Sequence, residues 1–146
     1  MALFGIALLL GILSAFGFAP FNIWPLTLLA FGLLYLPLAK AERGWRVGLI
    51  GWLFGLGQFV LGLDWIAKAF TYQAAMPAWL GWLAVVLLSF YLAVYPALAA
   101  FAAWWGTRRL SGGAATMALL FGAAWAVSEW LRATVFTGPP STETIT

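Results

Sequence analysis

The fold class of this chain follows from the stretch GWRVGLIGWLFGLGQFVLGL at residues 44–63. From Val47 onward it is apolar except for one amide, Gln58, and it approaches the ~20 residues that a helix needs to cross a bilayer. Five of its six glycines follow steps of four, three, four and seven, which places them on one helical face: Gly44, Gly48, Gly51, Gly55 and Gly62. Small residues let helices approach closely in lipid, so we expect this face to contact another helix rather than to form a groove for a lipid or substrate.

The composition extends this interpretation to the whole chain. Of the 146 residues, 65% are hydrophobic and 8% are charged, and the mean hydropathy is +1.02. In a soluble domain about a quarter of the residues are charged. The sequence therefore predicts an all-α membrane protein, a bundle of about five transmembrane helices.

Apolar runs separated by polar or proline-containing segments define the expected crossings, at about residues 2–18, 23–39, 47–63, 77–105 and 114–136. The fourth run is longer than a crossing requires, so we expect tilt or a kink near Pro96. The mixed segment 64–76 is too polar to cross and suits the interface. Residues 139–146 form a short polar tail, which we interpret as the end of a truncated or frame-shifted reading frame.

Basic residues set the expected orientation, because cytoplasmic loops are enriched in Lys and Arg. Five of the seven basic residues follow the second and fourth runs: Lys40, Arg43, Arg46, Arg108 and Arg109. We therefore expect these loops and the N-terminus to lie in the cytoplasm. The turn at Pro20, the segment 64–76 and the tail would then lie outside.

The sequence contains neither cysteine nor histidine. Thiolate chemistry and disulfides are therefore excluded, and the commonest general base and metal ligand is missing. We expect no catalytic residue, metal or cofactor in this chain. We also expect no nucleic-acid partner, because the basic residues are few and scattered.

Four charged residues near the expected outer ends of the helices are the candidates for a binding site. Glu129 and Arg132 are spaced i, i+3, and Asp64 and Lys68 are spaced i, i+4. At either spacing the acidic and the basic residue can form an ion pair. At ~1.5 Å per residue, Glu129 lies about 22 Å along the fifth run. It shares a helical face with three small residues that we expect to contact another helix: Ala118, Gly122 and Ala126. Two interpretations stay open, namely structural pairs at helix ends, or an outer-leaflet site in which Arg132 and Lys68 bind a lipid phosphate.

Several short motifs occur in order between residues 12 and 138. They are FAPF at 18–21 with WP at 24–25, GWLFGLG at 51–57 leading to GLDWI at 62–66, and EWLR at 129–132 with FTG at 136–138. Together they resemble the N-terminal membrane region of apolipoprotein N-acyltransferase. After FTG the family usually continues with Phe, Pro and Trp, whereas here Pro139 and Pro140 open the polar tail.

The resemblance implies a bacterial inner-membrane enzyme that transfers an acyl chain from a membrane phospholipid to the N-terminal cysteine of a diacylated lipoprotein. It places the covalent step on a cysteine, activated by a glutamate and a lysine in a nitrilase-like periplasmic domain. None of these residues carries over to this chain. The implied role is therefore a membrane portion that positions phospholipid and lipoprotein acyl chains beneath that domain.

Two other functions fit the composition. One is a small proton-coupled multidrug-type transporter that acts as an oligomer and depends on one membrane carboxylate. The expected position of Glu129 near the interface argues against it, because transport sites tend to lie near the bilayer midplane. The other is a non-catalytic membrane assembly partner, which the small-residue faces support.

The orientation can be tested with single cysteines, since the chain has none of its own. In intact cells, a cysteine at Arg109 should be shielded from a membrane-impermeant thiol reagent, whereas a cysteine at Ala75 should be labelled. The opposite labelling pattern would overturn the orientation.

The chain alone should have no acyltransferase activity, because the resemblance assigns the covalent step to a cysteine and the sequence has none. Purified chain would be incubated with labelled phospholipid and a diacylated lipopeptide. Turnover above a control without protein would contradict this prediction and would require an oxygen nucleophile.

Overall fold

The computed structural model describes residues 2–18, 21–72 and 77–137. Within these ranges every regular element is an α-helix: α1 (Ala2–Ala15), α2 (Trp24–Ala39), α3 (Gly44–Gly62), α4 (Asp64–Thr71), α5 (Ala78–Leu92), α6 (Val94–Arg109) and α7 (Ala114–Thr137). The all-α class is therefore confirmed. The turn at Pro20, the labelling position Ala75 and the tail at residues 139–146 lie outside the described residues, as does the side chain of Arg132.

Among the described residues, three helical segments are long and apolar enough to cross a membrane: Gly44–Ala69, Trp79–Arg109 and Ala114–Leu131. The other two apolar helices, α1 and α2, have 14 and 16 residues, which correspond to about 21 and 24 Å at ~1.5 Å per residue. The chain is thus a helical membrane protein. That α1 and α2 also cross the bilayer stays a prediction.

A helix interruption lies close to Pro96, between α5 and α6, and the bend expected there stays a prediction. The turn residue is Ala93, with φ −63° and ψ −14°. Proline lacks the N–H that would bond the carbonyl of Leu92, and its ring crowds that carbonyl. The backbone hydrogen bonds resume where the Ala97 N–H donates to the Ala93 carbonyl over 3.2 Å. The helix is therefore interrupted three residues before the proline, next to the carbonyl of Leu92 that the proline cannot bond.

α3 is the central helix of the bundle. Its side chains Val47, Ile50 and Phe54 are at most 1% exposed. They belong to a hydrophobic core to which α1, α2, α6 and α7 also contribute side chains. α1 packs against one side of α3 and α6 packs against another. The remaining helices are arranged around these three.

Glycines of α3 allow the backbone of α6 to approach closely. A Cβ added at Gly51 would lie 2.7 Å from the carbonyl oxygen of Pro96, and a Cβ at Gly55 would lie 2.6 Å from Cγ of the same proline. At the start of α3, a Cβ at Gly44 would lie 2.7 Å from the ring of Phe101. Residues early in α3 thus face residues late in α6, so the two helices are antiparallel.

The other two glycines of the predicted face do not take part in this contact. Gly48 and Gly62 have open space where a Cβ would stand. The closest approach of α3 to α6 is at Gly51 and Gly55, and it does not extend to Gly48 or Gly62. No helix contact therefore requires glycine at these two positions.

A second close approach joins α3 to α1. A Cβ added at Gly11 would collide with the carbonyl oxygen of Phe54, and a Cβ at Gly57 would lie 2.6 Å from the carbonyl oxygen of Leu8. At 3.6 residues per turn, Gly57 lies about 120° from Gly51 and about 160° from Gly55 around the axis of α3. The central helix is therefore in close contact with a neighbouring backbone on each of two sides.

The two ends of the bundle differ in their polar groups. At one end, which we call the basic end, guanidinium carbons lie 4.3–5.5 Å from tryptophan ring centroids in three pairs: Arg108 with Trp104, Arg109 with Trp105, and Arg46 with Trp45. The opposite end, which we call the α4 end, holds the ion pair between Lys68 Nζ and Asp64 Oδ2 at 2.8 Å. α4 packs against α5 at this end.

The contact between α1 and α3 can be tested by a substitution at Gly11. Gly11→Ala should lower the free energy of unfolding by about 1–3 kcal/mol, because the new methyl group meets a carbonyl that cannot move without the helix. The measurement is thermal unfolding in detergent, followed by circular dichroism. Gly5→Ala is the matched control, since Gly5 lies on the same helix with open space around it. Equal melting temperatures for the two variants would show that the close approach does not stabilise the fold.

Candidate functional site

A cleft runs between α2 and α7 on one side of the bundle. Two cavities that share Phe31 form it, and neither is enclosed. The cavity nearer the basic end has a volume of about 280 Å³ and is lined by Leu34, Tyr35, Leu38, Met117 and Gly122, among others. The cavity nearer the α4 end has a volume of about 450 Å³ and is lined by Phe18, Gln58, Gly62, Leu63, Trp125 and Glu129, among others. We call the two parts the apolar half and the polar half of the α2–α7 cleft.

The cleft exists because its two walls are attached to different neighbours. α2 packs against α1, and α7 packs against α6. Between them stands an aromatic cluster in which the ring of Phe31 lies 5.1 Å from Phe54 and 4.8 Å from Trp125. Beside these rings, Gly32 and Gly122 have open space where a side chain would stand. The aromatic rings separate the two walls, and neither glycine has a side chain that would fill the space between them.

The polar half contains a buried amide. Gln58 is 6% exposed, and its Oε1 has no hydrogen-bond partner within the described residues. A buried acceptor without a partner costs about 1–3 kcal/mol. The sequence shows Gln58 as the one amide of its apolar run but assigns it no role. Its burial without a partner depends on side chains from α2 and α7, which a single sequence does not place.

Glu129 lines the same polar half and is half-buried. Of the four charged residues predicted as a lipid site, it is the one that the structure places in the cleft. Asp64 and Lys68 form their ion pair on α4, where the Lys68 side chain is 71% exposed. The structure therefore does not bring these two beside Glu129 in one cavity, and the side chain of Arg132 lies outside the described residues.

The small residues of α7 lie at the cleft or on the surface rather than in a helix contact. Ala118 and Gly122 line the apolar half, and Ala126 is exposed. The buried face of α7 instead carries Met117 and Ser128, at 6% and 8% exposure. At roughly 100° per residue, the predicted face is turned from this buried face by a quarter to a half turn.

Comparison with known proteins identifies similar sequences along nearly the whole chain. The family described as the apolipoprotein N-acyltransferase N-terminal domain matches residues 10–142. A protein of Ralstonia nicotianae named apolipoprotein N-acyltransferase is 43% identical over 139 residues, which cover 92% of this chain and 26% of that protein. Proteins of the same name from Nitrosomonas europaea and Methylococcus capsulatus are 34% and 37% identical with the same coverage. The chain thus spans about a quarter of the length of these curated relatives.

Proposed function

Because this chain belongs to the apolipoprotein N-acyltransferase N-terminal domain family, we propose that it is the membrane-embedded part of such an enzyme and holds lipid acyl chains in the α2–α7 cleft. The reaction itself would take place in parts of the relatives that this chain does not match. The role of the present residues is to bind and orient. The observation that supports this role is the pair of adjoining cavities, one lined almost entirely by apolar side chains and the other lined also by the amide of Gln58 and the carboxylate of Glu129.

The size of the cleft suits an acyl chain of one leaflet. From Met117 to Glu129 the wall formed by α7 extends about 18 Å at ~1.5 Å per residue. Half of the ~30 Å hydrocarbon core is about 15 Å. A chain lying along the apolar half would therefore leave its headgroup close to Glu129 and Gln58, at the level where polar groups of lipids lie.

The proposed location is the bacterial inner membrane, crossed several times, with the basic end in the cytoplasm. The arginines stacked on tryptophans at that end support this orientation, because cytoplasmic loops are rich in Arg and indole rings favour the interface. The polar half then opens toward the outer side of the membrane. This is the side on which the resemblance to the family places the catalytic domain.

A phosphate-binding role for the charged residues at the outer end belongs to the same proposal. Lys68 is mostly exposed at the α4 end and already pairs with Asp64, so a lipid phosphate there would exchange one anionic partner for another. Arg132 follows Glu129 by nearly one helical turn on α7. We propose both cations as contacts for the phosphates of lipids that enter or leave the cleft, with a phospholipid and a diacylated lipoprotein as the partners of the complete enzyme.

Filling the apolar half tests the lipid-binding role. Gly122→Phe places a ring in open space at the cleft, so phospholipid retention by the detergent-purified chain should fall severalfold while the melting temperature is kept. Native mass spectrometry counts the lipids that stay bound. Gly5→Phe adds the same ring in open space at an exposed position of α1 and is the control. Equal lipid counts for wild type and Gly122→Phe would refute the cleft as the lipid site.

A further inference from the structure

Another cavity opens at the basic end of the bundle, between the first turns of α1 and α3. Its volume is about 150 Å³, and it shares no lining residue with the α2–α7 cleft. Two residues of its wall, Trp45 and Arg46, carry hydrogen-bond donors, and the other four are apolar: Leu3, Phe4, Ala41 and Ile50. We call this space the α1–α3 cavity. The role proposed for the α2–α7 cleft makes no use of it.

Two combinations of tryptophan and arginine at the basic end differ in what their donors bond. In the first, Trp104 Nε1 and Arg108 Nη2 donate to carbonyls of the loop between α2 and α3, over 3.2 and 3.4 Å. In the second, the guanidinium of Arg46 lies 5.5 Å from the ring of Trp45. Neither of these two side chains has a hydrogen-bond acceptor among the described residues. The first combination therefore holds the loop, whereas the donors of the second are available to a ligand.

The charge at this end favours an anionic ligand. Five cations lie in the loop between α2 and α3 and at the adjoining ends of α3 and α6: Lys40, Arg43, Arg46, Arg108 and Arg109. Among the described residues the basic end carries one carboxylate, that of Glu42. A guanidinium can donate two parallel N–H bonds to a phosphate. A phosphate therefore matches both the charge of this end and the donors at the cavity wall.

The size of the cavity and the surface beside it indicate that the phosphate belongs to a lipid. Sites that enclose a small ligand measure ~300–1,000 Å³, so this cavity holds only part of a ligand. From Leu3 an apolar face continues along α1 at helical spacing through Ile6, Leu9 and Leu13, which are 40–59% exposed. Leu3 and Leu13 are about 15 Å apart at ~1.5 Å per residue, which is half of the ~30 Å hydrocarbon core. An acyl chain of one leaflet can lie along this face while its glycerol region occupies the cavity.

We propose that the α1–α3 cavity binds an anionic phospholipid of the leaflet at the basic end, with Arg46 on the phosphate and the indole N–H of Trp45 on an ester oxygen. In the orientation proposed above, this is the cytoplasmic leaflet. The polar half of the α2–α7 cleft opens at the other end of the bundle, so the two sites hold different lipids. A lipid bound here links the first turn of α1 to the first turn of α3.

The test compares an anionic and a zwitterionic lipid with identical acyl chains. Phosphatidylglycerol carries a net negative charge, whereas the ammonium of phosphatidylcholine cancels the charge of its phosphate. In competition for the detergent-purified chain, native mass spectrometry should show a preference for phosphatidylglycerol of about fivefold, the factor expected for one basic residue near an anionic headgroup. Equal occupancy by the two lipids would overturn the proposal.

Arg46→Gln removes the charge and keeps a long polar side chain. Because Arg46 is exposed, the melting temperature should be kept while most of the preference for phosphatidylglycerol is lost. Arg46→Lys should restore only part of it, because the two parallel bonds of the guanidinium are missing. Arg109→Gln is the matched control, since Arg109 also lies over a tryptophan, at 5.1 Å, but does not line the cavity. An equal loss of preference in Arg46→Gln and Arg109→Gln would show a diffuse basic surface and refute the site.

Gly122→Phe separates this site from the α2–α7 cleft. In this variant the preference for phosphatidylglycerol should persist and should still depend on Arg46, even as the total lipid count falls. If Gly122→Phe itself abolishes the preference, the selected lipid lies in the cleft and the α1–α3 site is refuted. An unchanged total count together with a preference that depends on Arg46 would refute the cleft as a lipid site and support the α1–α3 cavity.

Discussion

Close contact of the α3 backbone with a neighbour on each of two sides is the constraint on which the rest of the structure depends. In a bilayer, lipid tails are as apolar as leucine, so burying one apolar side chain against another gains little over leaving it in lipid. The favourable terms are dispersion contacts at short range, which need residues without bulk. Gly11 and Gly57 provide that approach toward α1, and Gly51 and Gly55 provide it toward α6. These three helices form the core around which the others are arranged.

The α2–α7 cleft is a consequence of this core. Since α2 attaches to α1 and α7 attaches to α6, the two outer helices stand on opposite flanks of α3 and leave its remaining face between them. Phe31 and Trp125 bridge part of the gap, with ring centroids 4.8 Å apart. In the polar half, α3 itself forms part of the wall, which is why its single amide comes to lie there. The position of Gln58 thus follows from the order in which the helices pair.

The sequence predicts the fold better than it predicts the site, and particular residues show why. The glycines that meet α6 repeat at helical spacing, so periodicity finds them, whereas Gly11 and Gly57 belong to no such repeat. On α7, the small residues Ala118 and Gly122 resemble a packing face but line open space. Polarity cannot decide which face of such a helix is buried, because lipid and protein interior are both apolar.

If α2 crosses the membrane, its shortness would affect the bilayer beside the cleft. A helix of about 24 Å is some 6 Å shorter than a hydrocarbon core of ~30 Å. If α2 crosses, this hydrophobic mismatch is met by thinning of the adjacent lipid or by displacement of the helix ends. Arginines stacked on tryptophans would hold the basic end at the interface, so the deficit would fall at the α4 end, where α2 begins. Headgroups of the leaflet next to α2 would then be drawn inward toward Gln58, and a lipid that enters the cleft would have less far to descend than one elsewhere in the membrane.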